Sequence, residues 1–139
     1  MTTLRILLVD DSEIIRRGVC TLLEGQPELE VSVARDGLEA VEQAQEQQPD
    51  VILLDIGLPR LNGIEAARRI RRVAPESKIL FLSQYDTWAT AREALKTGAA
   101  GYVVKSDAAS ELVRGVWSVY QGKSFVSSTL SASDPRTAH

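Results

Sequence analysis

Five polar residues that could together carry out metal-dependent phosphoryl transfer lie directly after short apolar runs, namely Asp10, Asp11, Asp55, Ser83 and Lys105. Carboxylates brought close together repel one another and favour a bound cation. Mg²⁺ suits such ligands, because it binds one or two carboxylates while keeping waters and a phosphate oxygen. A carboxylate beside the ion can attack phosphorus, and an ammonium and a hydroxyl can stabilise the phosphoryl oxygens. If the fold groups them, these residues would form a phosphoryl-transfer site.

Each of these residues also has a purely structural interpretation. The acidic pair at the first run, together with Ser12, could cap the following helix, since short oxygen-bearing side chains accept bonds from free helix N–H groups. Asp55 could be an ordinary loop carboxylate, Ser83 a turn residue and Lys105 a solvated surface lysine. Taken singly, each structural interpretation is the better one. The chemical interpretation therefore depends on the elements that would bring the residues together.

Two kinds of segment alternate along the chain. Short apolar runs typical of β-strands cover residues 6–9, 31–34, 51–54, 79–82 and 102–104. Between and after them, residues 14–23, 38–48, 64–73, 88–95 and 112–120 place apolar side chains three or four positions apart and stop near Gly or Pro, as amphipathic helices do. This alternation predicts a parallel sheet with helices on both faces, because parallel strands need helical crossovers.

The strand patterns also indicate positions within the sheet. The first, third and fourth runs are continuously apolar, which is typical of central strands covered on both faces. The second run alternates and begins beside Glu30, so we expect an edge strand there. In an open parallel sheet, ligands bind outside the carboxyl ends of the strands. The polar residues that follow the runs are therefore expected to meet at one edge of the sheet.

Composition indicates one ordinary globular domain. The chain has 139 residues, 44% of them hydrophobic and 25% charged, with a formal net charge of −3. This balance gives no electrostatic footprint for nucleic acid or for an anionic membrane. The single cysteine, Cys20, excludes an internal disulfide and is interpreted as a buried structural thiol.

The two ends of the chain carry further expectations. The N-terminus lacks the layout of a signal peptide, and no apolar run is long enough to span a bilayer, so we expect a cytoplasmic protein. Residues 1–126 are expected to form the domain. Residues 127–139 have little apolar content and are interpreted as a tail or the start of a linker, in which His139 belongs to a disordered end.

Five separated motifs resemble, in order, the signature of response-regulator receiver domains. They are Asp10-Asp11, Asp55-Ile56-Gly57-Leu58-Pro59, Asn62-Gly63, Leu82-Ser83 and Gly101-Tyr102-Val103-Val104-Lys105. The resemblance covers about residues 4–126, and the segments 82–86 and 101–106 look most like the NarL/FixJ-type subgroup, whose members carry a LuxR-like helix-turn-helix output domain. It implies an α/β, flavodoxin-like (CheY-like) doubly wound fold, with a five-stranded parallel sheet, (βα)5, in strand order 2-1-3-4-5.

The resemblance implies a role for each residue of the proposed site. Asp55 would accept a phosphoryl group from a sensor histidine kinase. Asp11, Asp55 and the backbone carbonyl of Gly57 would bind Mg²⁺, and Asp10 would act mainly through a water ligand of the ion. Lys105 would pair with Asp55 before phosphorylation and with the phosphoryl group afterwards.

The resemblance also implies a switch and an output. Ser83 would move to bond a phosphoryl oxygen, and Tyr102 would turn inward as Ser83 moves. Trp88, close to this switch, is a candidate for a partner surface. The domain would be regulatory rather than an enzyme, catalysing only its own phosphorylation and dephosphorylation. We expect a homodimer on phosphorylation and no membrane partner. DNA would be contacted only through a C-terminal domain outside this sequence.

Three positions depart from the usual receiver pattern. Ser106 follows Lys105 where many receivers have a proline, often in a cis bond, which leaves the conformation of this loop open. Gln84 follows the switch serine where many receivers have a small residue, and its longer side chain could narrow access to Asp55 and slow both phosphorylation and hydrolysis. Gly57 lacks the side chain that reaches over the phosphoryl group in many relatives.

Two other classes of protein remain as alternatives. A Mg²⁺-dependent phosphohydrolase would need a second acid–base carboxylate beside Asp55, but Ile56 and Gly57 occupy those positions. A scaffold independent of phosphorylation would be supported by loss of an acid or of the lysine, and all are present. Turnover of small phosphate esters would discriminate the first alternative, and Mg²⁺-dependent labelling by acetyl phosphate the second.

Overall fold

Six strands and six α-helices make up the part of the chain that this computed structural model describes, residues 3–133. In chain order they are β1 (Leu4–Val9), α1 (Glu13–Glu24), β2 (Leu29–Ala34), α2 (Gly37–Gln47), β3 (Val51–Leu54), α3 (Gly63–Val73), β4 (Lys78–Ser83), α4 (Trp88–Leu95), β5 (Gly101–Val104), α5 (Ala108–Tyr120), β6 (Phe125–Val126) and α6 (Ser128–Ser133). A short 3₁₀ turn, Lys105–Asp107, joins β5 to α5. The expectation for His139 lies outside the described residues.

The strands form one parallel sheet in the order β2-β1-β3-β4-β5-β6. The order of the first five strands, the alternation of strand and helix, and the edge position of β2 are all as predicted. The central strand β3 is buried along its whole length, as its unbroken apolar sequence indicated. The two-residue strand β6, which pairs with β5, was not predicted.

The register of β1 and β3 determines where the site lies. Leu8 pairs with Leu53, and Val9 with Leu54. Successive side chains of a strand point to opposite faces, so the first pair contributes to the core beneath α1 and α5, and the second to the core on the other side of the sheet. Because Val9 and Leu54 are the last residues of neighbouring parallel strands, the residues that follow them emerge side by side.

The chain continues as ordered structure past the predicted tail boundary. Ser127 is buried, and its Oγ accepts a hydrogen bond from the Val104 amide at 3.0 Å. Asp107 and Glu111 accept bonds from backbone amides at the start of α6. Leu130 is completely buried in the core. Residues 128–133 therefore form a helix that is bonded to the rest of the domain. Residues 134–139 lie outside the described part of the chain, and the domain boundary stays a prediction.

The Leu130→Ala variant is expected to lower the free energy of unfolding by about 2–4 kcal/mol, because it removes a buried side chain and leaves a cavity. Urea unfolding followed by circular dichroism measures this. The matched control is Ile14→Ala, since Ile14 is 83% exposed, and its effect should stay within about 0.5 kcal/mol. Equal effects of the two substitutions would contradict the packing of α6 on the domain.

Helix α4 packs differently from the expectation for Trp88. The indole is only 9% exposed and lies in the core with Ala91 and Ala94, three and six positions further along the helix. This spacing turns all three side chains toward the sheet. Trp88 is therefore mainly a core residue rather than an exposed partner surface. Among the helices of residues 3–133, none combines the length and the apolar character needed to cross a membrane.

Candidate functional site

Three carboxylates meet at the carboxyl end of the sheet. Asp10 follows β1, Asp55 follows β3, and one oxygen from each of Asp10, Asp11 and Asp55 lies within 4.8 Å of the others. Asp10 is 1% exposed and Asp55 6% exposed, whereas Asp11 is open to solvent. The fold thus groups the acids that the sequence pattern expected to meet.

Capping of helix α1, the structural interpretation of Asp10, Asp11 and Ser12, accounts for only some of their contacts. Ser12 is the N-cap of α1, and its Oγ accepts from the Ile15 amide at 3.3 Å. Asp10 supports this cap, since its Oδ1 accepts from the Ser12 amide at 2.9 Å. The other oxygen of Asp10 lies 2.8 Å from the Lys105 Nζ, away from the helix. Helix capping therefore explains Ser12 but leaves the second oxygen of Asp10 for the site.

Lys105 bridges the two buried acids. Its Nζ lies 2.8 Å from Asp10 Oδ2 and 3.2 Å from Asp55 Oδ2. Burial lowers the pKa of Lys105, but the hydrogen bond that Lys105 donates to Asp10 and the negative charges of Asp55 and Asp10 more than offset this, so the pKa of Lys105 is raised. Burial also raises the pKa of Asp55; Lys105 opposes this shift and Asp10 adds to it. One ammonium among three carboxylates leaves an excess of negative charge, which favours a cation.

The remaining oxygen of Asp55 is held by its own loop, because Oδ1 accepts from the Ile56 amide at 2.8 Å. The start of α3 approaches this loop closely. A Cβ on Gly63 would lie 1.9 Å from the Asp55 carbonyl oxygen, and the Gly63 amide donates to the Ile56 carbonyl at 2.7 Å. Only glycine allows this approach. The Asn62-Gly63 motif therefore helps to place Asp55.

A pocket of about 300 Å³ opens above the acids. Its lining comprises Asp10, Asp11, Ser12, Ile15, Asp55, Gly57, Gln84, Tyr85 and Lys105. Carboxylate oxygens with open space beside them match the requirements of Mg²⁺, which needs hard oxygen ligands and room for waters and a phosphate oxygen. The donor set thus fits this ion. The same pocket is large enough to admit a phosphoryl group.

Ser83 and Tyr102, the expected switch residues, lie beneath this pocket rather than in its wall. Ser83 Oγ accepts from the Tyr85 amide at 3.2 Å, and the Tyr102 hydroxyl donates to the Tyr85 carbonyl at 2.8 Å. The Tyr102 ring is fully buried and stacks on Phe81 with centroids 6.1 Å apart. The inward position expected for Tyr102 after a movement of Ser83 is thus already occupied here.

Three features of the site could not be inferred from the sequence motifs. Tyr85 lines the pocket, and its carbonyl accepts a hydrogen bond from the Tyr102 hydroxyl. No sequence motif singled out this position, two residues after Ser83. Arg16 donates to the Asp10 carbonyl at 2.7 Å, from one turn into α1. The bond between Lys105 and Ser106, left open by the missing proline, is trans.

Comparison with known proteins gives a consistent group of relatives. The family model of the response regulator receiver domain matches residues 6–116. The chain is 39% identical over 120 residues to the transcriptional regulatory protein LnrK of Bacillus subtilis (strain 168), with 86% of this chain and 54% of LnrK covered. It is 40% identical over 124 residues to the transcriptional regulatory protein DegU of Brevibacillus brevis, with 88% and 52% covered. The chain spans about half the length of these relatives.

A solved structure is similar over almost the whole chain. The crystal structure of a two-component response regulator of the LuxR family from Aurantimonas sp. SI85-9A1 has a TM-score of 0.89 and 36% sequence identity, and the alignment covers 95% of each chain. The likeness therefore includes both the order of the elements and their arrangement in space.

Proposed function

Because this chain belongs to the response regulator receiver domain family of two-component signalling, we propose that it accepts one phosphoryl group on Asp55 from a sensor histidine kinase, with the help of Mg²⁺. The observation that carries this proposal is the position of Asp55. Asp55 directly follows the central strand β3, contacts Lys105 and lines the open pocket.

The residues around Asp55 support an in-line transfer. An Asp55 oxygen would form a bond to phosphorus as the phosphorus–nitrogen bond of a phosphohistidine breaks and the imidazole leaves. Lys105 lies 3.2 Å from Asp55 Oδ2. As negative charge develops on the phosphoryl oxygens, its ammonium would form an ion pair with them. Ser83 would donate its hydroxyl to another phosphoryl oxygen. Hydrolysis of the aspartyl phosphate in the same pocket would return the domain to its resting state.

The metal proposal assigns a role to each nearby oxygen. Asp11, Asp55 and the Gly57 carbonyl would hold Mg²⁺, and Asp10 would act through a water. When bound, the ion supplies positive charge that offsets the repulsion between the carboxylates and the incoming phosphoryl oxygens. Asp10 and Lys105 would keep their ion pair of 2.8 Å as part of the wall of the pocket.

The output of the switch is proposed from the hydrogen bonds beneath the pocket. Ser83 and Tyr102 both bond to the backbone of Tyr85, so a shift of Ser83 toward the phosphoryl group would change the loop before α4. We propose that the altered surface favours a homodimer. LnrK and DegU are transcriptional regulators about twice as long as the matched region. By analogy, this protein would control transcription through a DNA-binding domain outside this sequence. Its location would be the cytoplasm.

The experiment for this proposal is intact-mass analysis after incubation with acetyl phosphate. We expect the mass of one phosphoryl group to be added with Mg²⁺ present and none with a chelator, because the acids of the pocket repel the donor without a cation. Asp11→Ala should weaken Mg²⁺ binding about tenfold or more, since it removes a carboxylate ligand. Glu76→Ala, which removes an exposed acid distant in sequence from the cluster, should leave Mg²⁺ binding unchanged.

Two outcomes would contradict the proposed function. Equal labelling with and without Mg²⁺ would refute the metal-dependent mechanism. Continuous turnover of a large excess of a small phosphate ester would instead favour a phosphohydrolase.

A further inference from the structure

Arg16, one turn into α1, is bonded to the backbone of the loop that carries Asp10 and Asp11. Its Nη1 donates to the Asp10 carbonyl oxygen at 2.7 Å. A hydrogen bond from a charged donor is stronger than one between two neutral groups. Arg16 is half-buried, whereas the side chain of its neighbour Arg17 is 79% exposed and pairs with Glu13 at 2.8 Å. The two arginines therefore share their chemistry but differ in what they contact.

The Asp10 carbonyl lies just beyond the hydrogen bonds of the sheet. The Asp10 amide donates to the Ala34 carbonyl at 3.2 Å, at the end of the pairing between β1 and β2. Asp10 is almost completely buried, and a buried backbone carbonyl needs a donor. Arg16 provides that donor. Because this carbonyl belongs to the peptide group between Asp10 and Asp11, the bond from Arg16 fixes the orientation of that group.

Asp11 differs from Asp10 in how its side chain is held. Both carboxylate oxygens of Asp10 have partners, the Ser12 amide at 2.9 Å and the Lys105 ammonium at 2.8 Å. The Asp11 side chain is open to solvent, so its position depends on the direction in which the backbone presents it. The peptide group that Arg16 orients therefore sets where the Asp11 carboxylate lies relative to the other acids.

We propose that Arg16 is a positioning residue for the Mg²⁺ site, which holds the Asp10–Asp11 peptide group in the orientation that lets Asp11 bind the ion. The inference rests on the proposed binding of Mg²⁺ in this pocket. Arg16 is not part of the pocket lining, so it would act through the loop rather than by touching the ion or the phosphoryl group. Loss of a group that orients a metal ligand typically lowers metal affinity about 10- to 100-fold.

The charge of Arg16 predicts the opposite effect from its hydrogen bond. A guanidinium repels a nearby cation, so loss of the charge alone would strengthen Mg²⁺ binding. Loss of the bond to the Asp10 carbonyl would weaken Mg²⁺ binding, because the loop could then take other orientations. The sign of the change in affinity therefore distinguishes a positioning role from a purely electrostatic one.

The test is calorimetric titration of the unphosphorylated domain with Mg²⁺ at constant ionic strength. Arg16→Ala is expected to raise the Kd for Mg²⁺ roughly tenfold. Arg16→Lys keeps a charged N–H donor and should stay within about threefold of the wild-type Kd. The matched control, Arg17→Ala, removes the same charge one position further along α1 and should stay within about twofold. Urea unfolding in chelator checks that each variant is folded.

Labelling by acetyl phosphate gives a second readout, which a general loss of stability would not reproduce. The Mg²⁺ concentration that gives half the maximal labelling rate should rise roughly tenfold in Arg16→Ala. The rate at saturating Mg²⁺ should stay within about twofold of the wild-type rate, because Arg16 does not touch the reacting groups. The variant is therefore expected to change the metal requirement of the reaction and not its maximal rate.

The outcomes distinguish this inference from the proposed function. If the wild-type protein binds no Mg²⁺ and its labelling does not depend on the ion, both fail. If the wild-type protein binds Mg²⁺ but Arg16→Ala binds it equally well or more tightly, the inference alone is overturned. It is also overturned if Arg17→Ala weakens binding as much as Arg16→Ala, or if Arg16→Lys binds Mg²⁺ no better than Arg16→Ala.

Discussion

The Asp55→Asn variant is expected to take up no phosphoryl group from acetyl phosphate in the presence of Mg²⁺, whereas the wild-type protein gains one. An amide has nearly the same shape as a carboxylate, but it lacks the negative oxygen that attacks phosphorus. It also weakens the attraction of Lys105, which lies 3.2 Å from Asp55 Oδ2. Intact-mass analysis over a time course measures the difference.

The same strand offers a matched control for this variant. Asp50 immediately precedes β3 at its amino end, where its Oδ2 accepts from the Arg5 amide at 2.8 Å. Asp50→Asn makes the same chemical change at the opposite end of the strand and should be labelled like the wild-type protein. Labelling of Asp55→Asn at the wild-type level would refute the assignment of the acceptor.

Loss of labelling in Asp55→Asn must not result from unfolding. Burial raises the pKa of Asp55 above its unfolded-state value, so ionisation of this carboxyl opposes folding. The contribution of this carboxyl to stability is lost as the pH rises from the unfolded-state pKa through the higher folded-state pKa. Since an amide resembles the neutral acid, Asp55→Asn at pH 7 in chelator should have a free energy of unfolding no lower than that of the wild-type protein. A lower value would mean that the ion pair with Lys105 outweighs the cost of burial.

The Ser83→Ala variant is expected to remain phosphorylatable on Asp55 but to lose the conformational response. In the wild-type protein, phosphoryl oxygens should attract the Ser83 hydroxyl, which now accepts from the Tyr85 amide. A preference of about 2–3 kcal/mol for one arrangement would shift its population roughly 30- to 150-fold. Without the Ser83 hydroxyl, no hydrogen bond can connect the phosphoryl group to this loop.

Amide hydrogen exchange with and without a beryllofluoride mimic of the phosphoryl group measures this response. We expect a change across residues 83–105 in the wild-type protein and almost none in Ser83→Ala. Because Ser127 bonds to Val104 and Leu130 packs in the same core as Tyr102, the change should extend to residues 127–131. Ser110→Ala removes an exposed hydroxyl from α5 and serves as the control. Identical exchange of the wild-type protein in both states would contradict the switch.

The sequence determined the arrangement that brings the acids together. Continuous apolar runs predicted buried central strands, and their alternation with helices predicted that all strands run the same way. Residues that follow parallel strands share an edge, so the meeting of Asp10 and Asp55 followed from their positions alone. The polar alternation around Glu30 likewise identified β2 as an edge strand. These inferences succeed because burial on one or two faces leaves a periodic pattern along the chain.

Only the tertiary structure decided the features that depend on residues distant in sequence. The segment β6–α6 has one fully buried apolar side chain, Leu130, and a single residue forms no periodic pattern. The inward ring of Tyr102 depends on packing against Phe81 and on the carbonyl of Tyr85. The position of Tyr85 beside Gly57 depends on how two loops approach each other at the end of the sheet. Local sequence does not encode such contacts, because they depend on how the whole core packs.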